Sequence, residues 1–465
     1  MIPLKRYPHA SKFVLFMIVI ALYTGCGTVP DAAALLHTNP LYLVAPRFVG
    51  PQGPLTAAQA QRVIARLREH QETSTDILQR HIAFEEALTN VPLTVGNKVT
   101  LLQNGTATYR AMLAAIHSAS ETINIVMYTF SNGPIGQMFA NALIERGRHG
   151  VHVSLMYDGL GSLGTPPSFF DSLRQAGIVV LAYRPVTFFS VKLPETLSHR
   201  NHRKMLIVDG RIAFTGGINI SEVYASGFGS NGRKISQESW RDTDIEVEGP
   251  AVAEFQHLFV DEWNHQKGPP LCSCTYFPTI ERRGNQIVRV IGSVPKRFSP
   301  IYVTLISAIV NSATNVYITD AYFAPDHQML HALERAAHRG VDVRLLLPSQ
   351  SDERLIVSAA RSHYHALLKA GVKIYEWQGA MLHAKTATVD GVWSTVGSSN
   401  LDWWSIARNN EVNAIVLSHS FGDEMSQMFQ ADLTNSKQIE LDQWRHRPIH
   451  ERFDETVAGI VEPLL

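Results

Sequence analysis

The stretch Asn201-His202-Arg203-Lys204-Met205-Leu206-Ile207-Val208-Asp209-Gly210-Arg211-Ile212-Ala213-Phe214-Thr215-Gly216-Gly217-Ile218-Asn219 is echoed by His383-Ala384-Lys385-Thr386-Ala387-Thr388-Val389-Asp390-Gly391-Val392-Trp393-Ser394-Thr395-Val396-Gly397-Ser398-Ser399-Asn400. Both copies read His-x-Lys-x₄-Asp, and both place an Asn 17 residues after the His. One such triplet is expected by chance roughly 0.03 times in a chain like this, so two copies with matching tails mark a duplication. The β-propense runs on either side of each Asp-Gly pair predict a hairpin. If residues 201–208 form a strand, His202 and Lys204 share a face, because strand side chains alternate with a period of two. Each half then offers an imidazole, an ammonium and a carboxamide to one volume.

The repeat extends outward. Ser118 to Tyr183 matches Ser312 to Trp377. Predicted strands at residues 123–128, 151–156 and 178–181 answer others at 316–321, 341–347 and 372–375, with helical stretches ending near Gly150 and Gly340. Strands alternating with amphipathic helices imply βαβ units and a largely parallel sheet covered on both faces. The fold class is therefore α/β: two pseudo-twofold-related αβα domains sharing one active site. The chain divides into a signal segment (1–26), a helical N-terminal region (27–95, with one helix over 57–89), a first domain (96–275) and a second (276–465). The boundary is placed in the Pro- and Arg-containing stretch 267–285.

Two imidazoles, two ammonium groups and two carboxamides around one centre suit a phosphodiester. One histidine can attack phosphorus and form a covalent phosphoenzyme, while the other protonates the departing alkoxide. The motif residues His202, Lys204, Asp209, His383, Lys385 and Asp390 are the catalytic candidates. Asn219, Asn400 and Ser398, with the glycine-rich turns, are candidates to hold phosphoryl oxygens. Asp242 and Glu411, each just before an apolar strand, are candidates to orient the histidines and set their tautomers. Protonated lysine is a poor metal ligand and neither copy has the spacing of a zinc or calcium site, so no metal and no cofactor is expected at this centre.

At these residues the chain resembles the phospholipase D superfamily, and within it the bacterial cardiolipin synthases. The likeness rests on both motifs, on Asn97 to Leu102, Tyr157 to Ser162, Trp240 to Thr243, Ala321 to Pro325, and on the run to Asn413. It implies a transphosphatidylase with phospholipid substrates, working through a phosphohistidine. It also implies His202 as nucleophile and His383 as general acid. One departure stands out: Trp404 follows Trp403 where the pattern has Arg. Hydrolysis of phospholipids is the runner-up, followed by a nucleic-acid phosphodiesterase and a catalytically silent lipid-binding scaffold.

Composition narrows these choices. Lys plus Arg equals Asp plus Glu at 41 each. With no run of five basic residues, long nucleic acid is disfavoured, because such binding rests on clustered cations. Lys5, Arg6 and Lys12 precede a short apolar run, residues 13–23, and then Gly25-Cys26, which resembles a lipoprotein processing site. Cys26 is the candidate for lipidation, with an uncleaved signal anchor as the alternative reading of the leader. This places the enzyme in the bacterial cell envelope, lipid-anchored, with its catalytic domains in the periplasm and in contact with the membrane surface. Phe188-Phe189, Tyr224 to Phe228 and Trp403-Trp404 are candidates for contact with acyl chains. Cys272 and Cys274 are read as two ordinary thiols in preference to the alternative, a local disulfide formed in an oxidising compartment. Nothing in the residues sets an oligomeric state.

Overall fold

A computed structural model describes residues 46–69, 80–186, 199–225, 239–295 and 299–448, together with 78, 228, 452, 455, 458 and 459. Cys26 and Phe188-Phe189 lie outside the described residues. In the first half, parallel strands β4 (Thr122–Met127), β5 (His152–Asp158) and β6 (Val179–Tyr183) are joined through the helices Pro134–Arg148 and Pro167–Gln175. The hairpin β7 (Met205–Val208) and β8 (Ile212–Gly216) then turns back along β4, followed by β9 (Thr243–Glu248) and β3 (Leu93–Gln103). The second half repeats the plan. Strands β11 (Asn315–Thr319), β12 (Asp342–Pro348) and β13 (Lys373–Trp377) are parallel. Antiparallel β14 (Thr386–Val389), β15 (Trp393–Gly397), β16 (Glu411–Leu417) and β10 (Gln286–Ser293) lie on one side, and β17 (Ser436–Ile439) on the other. Strand β3 meets β10 antiparallel, so the two halves share a sheet at their junction.

The sheet is thus mixed, not largely parallel. The physical reason is local. At Asp209 and Gly210 φ is 52° and 59°, and at Asp390 and Gly391 it is 52° and 62°. Positive φ at both central residues gives a tight turn that can join only antiparallel neighbours. The N-terminal region also departs from the expected all-helical reading. Phe48–Gly50 and Gly53–Pro54 form short strands, the first alongside β3, and two helices, Ala57–Arg68 and Arg80–Thr89, replace one. The second helix is fastened by buried charge: Arg289 of β10 donates to Glu85 and Glu86.

One apolar core belongs to both halves. Met205, Ile207, Ile245, Phe255 and Trp263 pack with Val288, Val396, Val412, Ala414 and Phe421. The helices Val252–His265 and His419–Leu433 each reach across to the opposite half, touching β10 and β3 respectively. Strands β8 and β9 lie against β15 and β16. Burying these side chains against each other contributes roughly 1.5–3 kcal/mol per large residue, which holds the two motif hairpins face to face. Between Gln266 and Asn285 the chain forms no helix or strand. Within it Cys272 and Cys274 are joined in a disulfide, not present as two thiols. Their Cα atoms, two residues apart, stand 5.2 Å from each other, a normal separation for such a bridge.

Candidate active site

His202 and Lys204 lie just before β7, not within it, and His383 and Lys385 just before β14. Their backbones are held by the other half. Asn201 bridges Asn410, with the His202 amide donating to the Asn410 carbonyl and the Asn410 amide to Arg200. Arg241 bridges Leu382, with the His383 amide donating to the Arg241 carbonyl. The next residues in those partner segments are Glu411 and Asp242. Each backbone bridge therefore delivers a carboxylate from one half to the imidazole of the other. His202 Nδ1 lies 3.0 Å from Glu411 Oε1, and His383 Nδ1 lies 2.7 Å from Asp242 Oδ2. With both Nδ1 positions engaged, Nε2 of each ring is left for chemistry.

The lysines fold back beneath the rings. Lys204 Nζ donates to the His202 carbonyl at 2.7 Å and sits over the Tyr128 ring, while Lys385 donates to the His383 carbonyl and sits over Tyr322. Both lysines and both histidines are buried. Tyr128 packs edge-on against His202; Tyr224, Tyr322 and Trp240 surround His383. The approach to His202 is fixed by Asp158, which pairs with Arg200 at 2.7 Å and accepts from the Asn201 amide. Tyr128, Tyr322, Arg200 and Asp158 were not singled out as site residues. Tyr128 and Tyr322, each shortly after the first parallel strand of its half, carry a repeat signal that could have found them.

Several candidates have other work. Asp209 accepts from the Ser120, Glu121 and Thr122 amides, and Asp390 from those of Ala313, Thr314 and Asn315. Both stand at the turn end of their hairpins, where their carboxylates are taken up in anchoring the start of β4 and β11. The Ser398 hydroxyl donates to Glu411 and accepts from the Val412 amide, so in this structure it supports the carboxylate. The glycine-rich turns also face the protein's own acceptors. The Ile218 amide donates to Asp244 Oδ1, and the Ser399 amide to Asn413 Oδ1. A Cβ at Gly217 would stand 2.2 Å from Asp242 Oδ1, so glycine is required for that carboxylate to reach His383. Asn219 accepts from the Thr129 amide and donates to the Tyr224 hydroxyl; Asn400 donates to Ser405. Both amides remain buried beside the paired rings. Of the aromatic candidates, Tyr224 is buried, while Phe228, Trp403 and Trp404 are half-buried.

Burial dominates the electrostatics. It lowers His202 although Glu411 pulls the other way, and with Lys385 and Lys204 it holds His383 well below the ordinary imidazole value. Burial brings Lys204 down to about 7 and lowers Lys385 as well. Asp242 is pushed up to about 7 by burial, against the nearby Lys385. For Glu411, burial would raise the pKa, but His202, Lys204 and the Ser398 hydroxyl outweigh it and leave the carboxyl below its ordinary value. Buried cationic groups whose charged forms are disfavoured share a need for a counter-anion. A phosphodiester anion between the rings supplies it.

Paired, carboxylate-backed histidines on two halves of a duplicated α/β fold define a phosphoryl-transfer enzyme of the phospholipase D type. The chain belongs to the family described as cardiolipin synthase, PLD-like domain, whose model matches residues 112–232 and 305–433. It is 33% identical over 380 residues to the cardiolipin synthase of Alkalihalophilus pseudofirmus, covering 80% of this chain and 73% of that protein. It is also 32% identical over 377 residues to the cardiolipin synthase of Geobacillus kaustophilus, covering 80% of this chain and 74% of the relative. Among solved structures, phosphatidylserine synthase from Haemophilus influenzae shares the fold, with a TM-score of 0.61 at 12% identity over 82% of this chain and 99% of that one. By this membership the protein is a phospholipase D-type transphosphatidylase.

Proposed function

We propose that the protein condenses phosphatidylglycerol with a second phospholipid to make cardiolipin, through a phosphohistidine. The observation that carries this reading is the crossed pairing of His202 with Glu411 and His383 with Asp242 around one buried centre. His202 Nε2 attacks phosphorus, and the departing alcohol takes a proton from His383. The phosphoimidazole carries added positive charge, which the ionised Glu411 behind it stabilises. The hydroxyl of the incoming lipid then returns its proton to His383 and attacks phosphorus, releasing His202. Lys204, Lys385, Asn219 and Asn400 are assigned to the developing charge on the phosphoryl oxygens.

Relatives described as cardiolipin synthases support the acceptor being a lipid alcohol. Water in its place gives phosphatidic acid, the runner-up, and a nucleic-acid substrate is disfavoured by the balanced charge. Among the described residues no helix is long and apolar enough to cross a membrane. From the basic residues, short apolar run and Gly25-Cys26 junction of the leader we assign attachment to the envelope membrane to acylation of Cys26, which Cys26→Ala tests through loss of metabolic palmitate labelling. The catalytic reading is tested by lipid mass spectrometry of the purified chain with phosphatidylglycerol, with and without phosphatidylethanolamine. Cardiolipin is the expected product; phosphatidic acid alone would replace synthesis with hydrolysis.

A further inference from the structure

The coil between the two halves carries a cluster that phosphoryl transfer does not use. The Sγ atoms of Cys272 and Cys274 and a ring nitrogen of His152 all lie within 4.8 Å of one another. His152 and Cys272 border a cavity of about 260 Å³ between this coil and the first-half sheet, lined also by Val151, Ser154 and Tyr276. His152 opens β5, whereas Asp158, which holds Arg200 beside the catalytic centre, closes it. A strand of that length spans roughly 20 Å, so the cluster sits at the far end of the sheet from the chemistry.

Two sulfurs and an imidazole form a donor set for a thiophilic divalent cation. We propose that, once the disulfide is reduced, Cys272, Cys274 and His152 bind one such cation, with zinc as its type. The reductant is an external dithiol. It donates two electrons and two protons, the Sγ–Sγ bond breaks to two thiols, and the donor becomes a disulfide. Metal binding then releases both thiol protons to water. Both sulfurs already point to one spot, as their bond demonstrates, and tetrahedral zinc needs donors roughly 3.3–3.8 Å apart. The Tyr276 hydroxyl, 3.2 Å from Cys272 Sγ, can donate to that sulfur as a thiolate. The disulfide fastens the coil only to itself, but the metal would fasten it to β5. Because the same sulfurs serve both, disulfide and metal exclude each other, and the reducing power of the surroundings selects between them.

The test uses the full chain with Cys26→Ser, which leaves Cys272 and Cys274 as the remaining cysteines of the three. The protein is reduced with a phosphine, desalted without oxygen, and titrated with Co²⁺ and then Zn²⁺. One cobalt per chain with thiolate-to-cobalt charge-transfer absorption, displaced by zinc, is expected. His152→Ala should weaken binding at least about tenfold, Cys272→Ser with Cys274→Ser should abolish the absorption, and the disulfide form should not develop it. The proposal is overturned if the reduced chain, with unchanged circular dichroism and turnover, shows no charge-transfer band. Equal cobalt uptake by the double serine variant would overturn it too.

Discussion

The two half-sites share a plan but differ in what stands behind the carboxylate. Ser398 and Gly217 occupy the same position, 15 residues after His383 and His202 respectively. Ser398 donates to Glu411, which also receives the Ser405 hydroxyl at 2.9 Å. Gly217 has no side chain to donate, and Asp242 receives the Thr243 amide in addition to His383. Glu411 consequently stays ionised, while Asp242 is pushed up to about 7 by burial. A fixed negative charge behind His202 suits the nucleophile role proposed for it, in which the phosphorylated ring turns cationic. A carboxyl that can hold a proton near neutrality suits the general-acid role proposed for His383. The comparison teaches that the duplicated motif gives both halves one geometry, while a few supporting positions, Ser398 against Gly217 above all, give the two carboxylates different electrostatics.

The largest effect should come from the rings. His202→Ala and His383→Ala should each lose roughly four or more orders of magnitude in transphosphatidylation, and the double variant little more, because the pair acts as a unit. A p-nitrophenyl phosphodiester needs no proton for its leaving group, so it should restore the first step to His383→Ala and not to His202→Ala. Phosphohistidine found at His383 would reverse the assigned roles.

Next come the carboxylates. Glu411→Gln should cost about 10³–10⁴ in kcat, in line with losing a tautomer-setting carboxylate. Asp242→Asn should cost less, and its loss should depend on pH. Below about 7 Asp242 already carries a proton and resembles the amide; above it the ionised form is what the variant lacks. The ratio of variant to wild-type rates should therefore be nearest one at acidic pH and fall as pH rises. A flat ratio would erase the proposed difference between the halves.

A smaller loss is expected at Ser398→Ala, about fivefold to tenfold, near the roughly 1 kcal/mol of one hydrogen bond. With one donor gone Glu411 titrates higher, so this loss should grow as pH falls. The smallest effect concerns Asp402 in the second half, at the position held by Ser221 in the first. Burial pushes Asp402 up to about 8, although the Ser405 amide it caps favours its charge. A pKa raised on folding means that the stabilisation is fully present only below the ordinary carboxyl range of about 4, and is lost progressively as pH rises from there through about 8. Asp402→Asn keeps a side-chain cap and no ionisation, so its Tm should approach wild type at about pH 4 and exceed it by a margin that grows as pH rises to about 8 and then levels off.

Much of the site was legible because its signals are local. Period-two strands, Asp-Gly turns and the repeated His-x-Lys need only nearest neighbours, and each of the six strands expected in the repeat overlaps one that forms. The roles of Asp209 and Asp390 were not legible. Their spacing from the histidines repeats because each hairpin must be pinned to the neighbouring first strand, a structural need that produces the same regularity as a catalytic one. Ser398 misled for a related reason: a hydroxyl in a glycine-rich turn suits phosphate equally well until the position of Glu411 is known. The disulfide depended on how the coil from Gln266 to Asn285 bends, and that stretch has no periodicity to read.

By itself the sequence determined the duplication, the α/β class and the residue types at the centre, since hairpin turns and side-chain alternation follow from local backbone sterics. Tertiary structure decided which carboxylate serves which histidine. The crossed arrangement depends on the bridges between Asn201 and Asn410 and between Arg241 and Leu382. Those bridges form only when the shared apolar core has brought the two halves together, because a hydrogen bond between segments so distant in sequence has no local pattern to announce it.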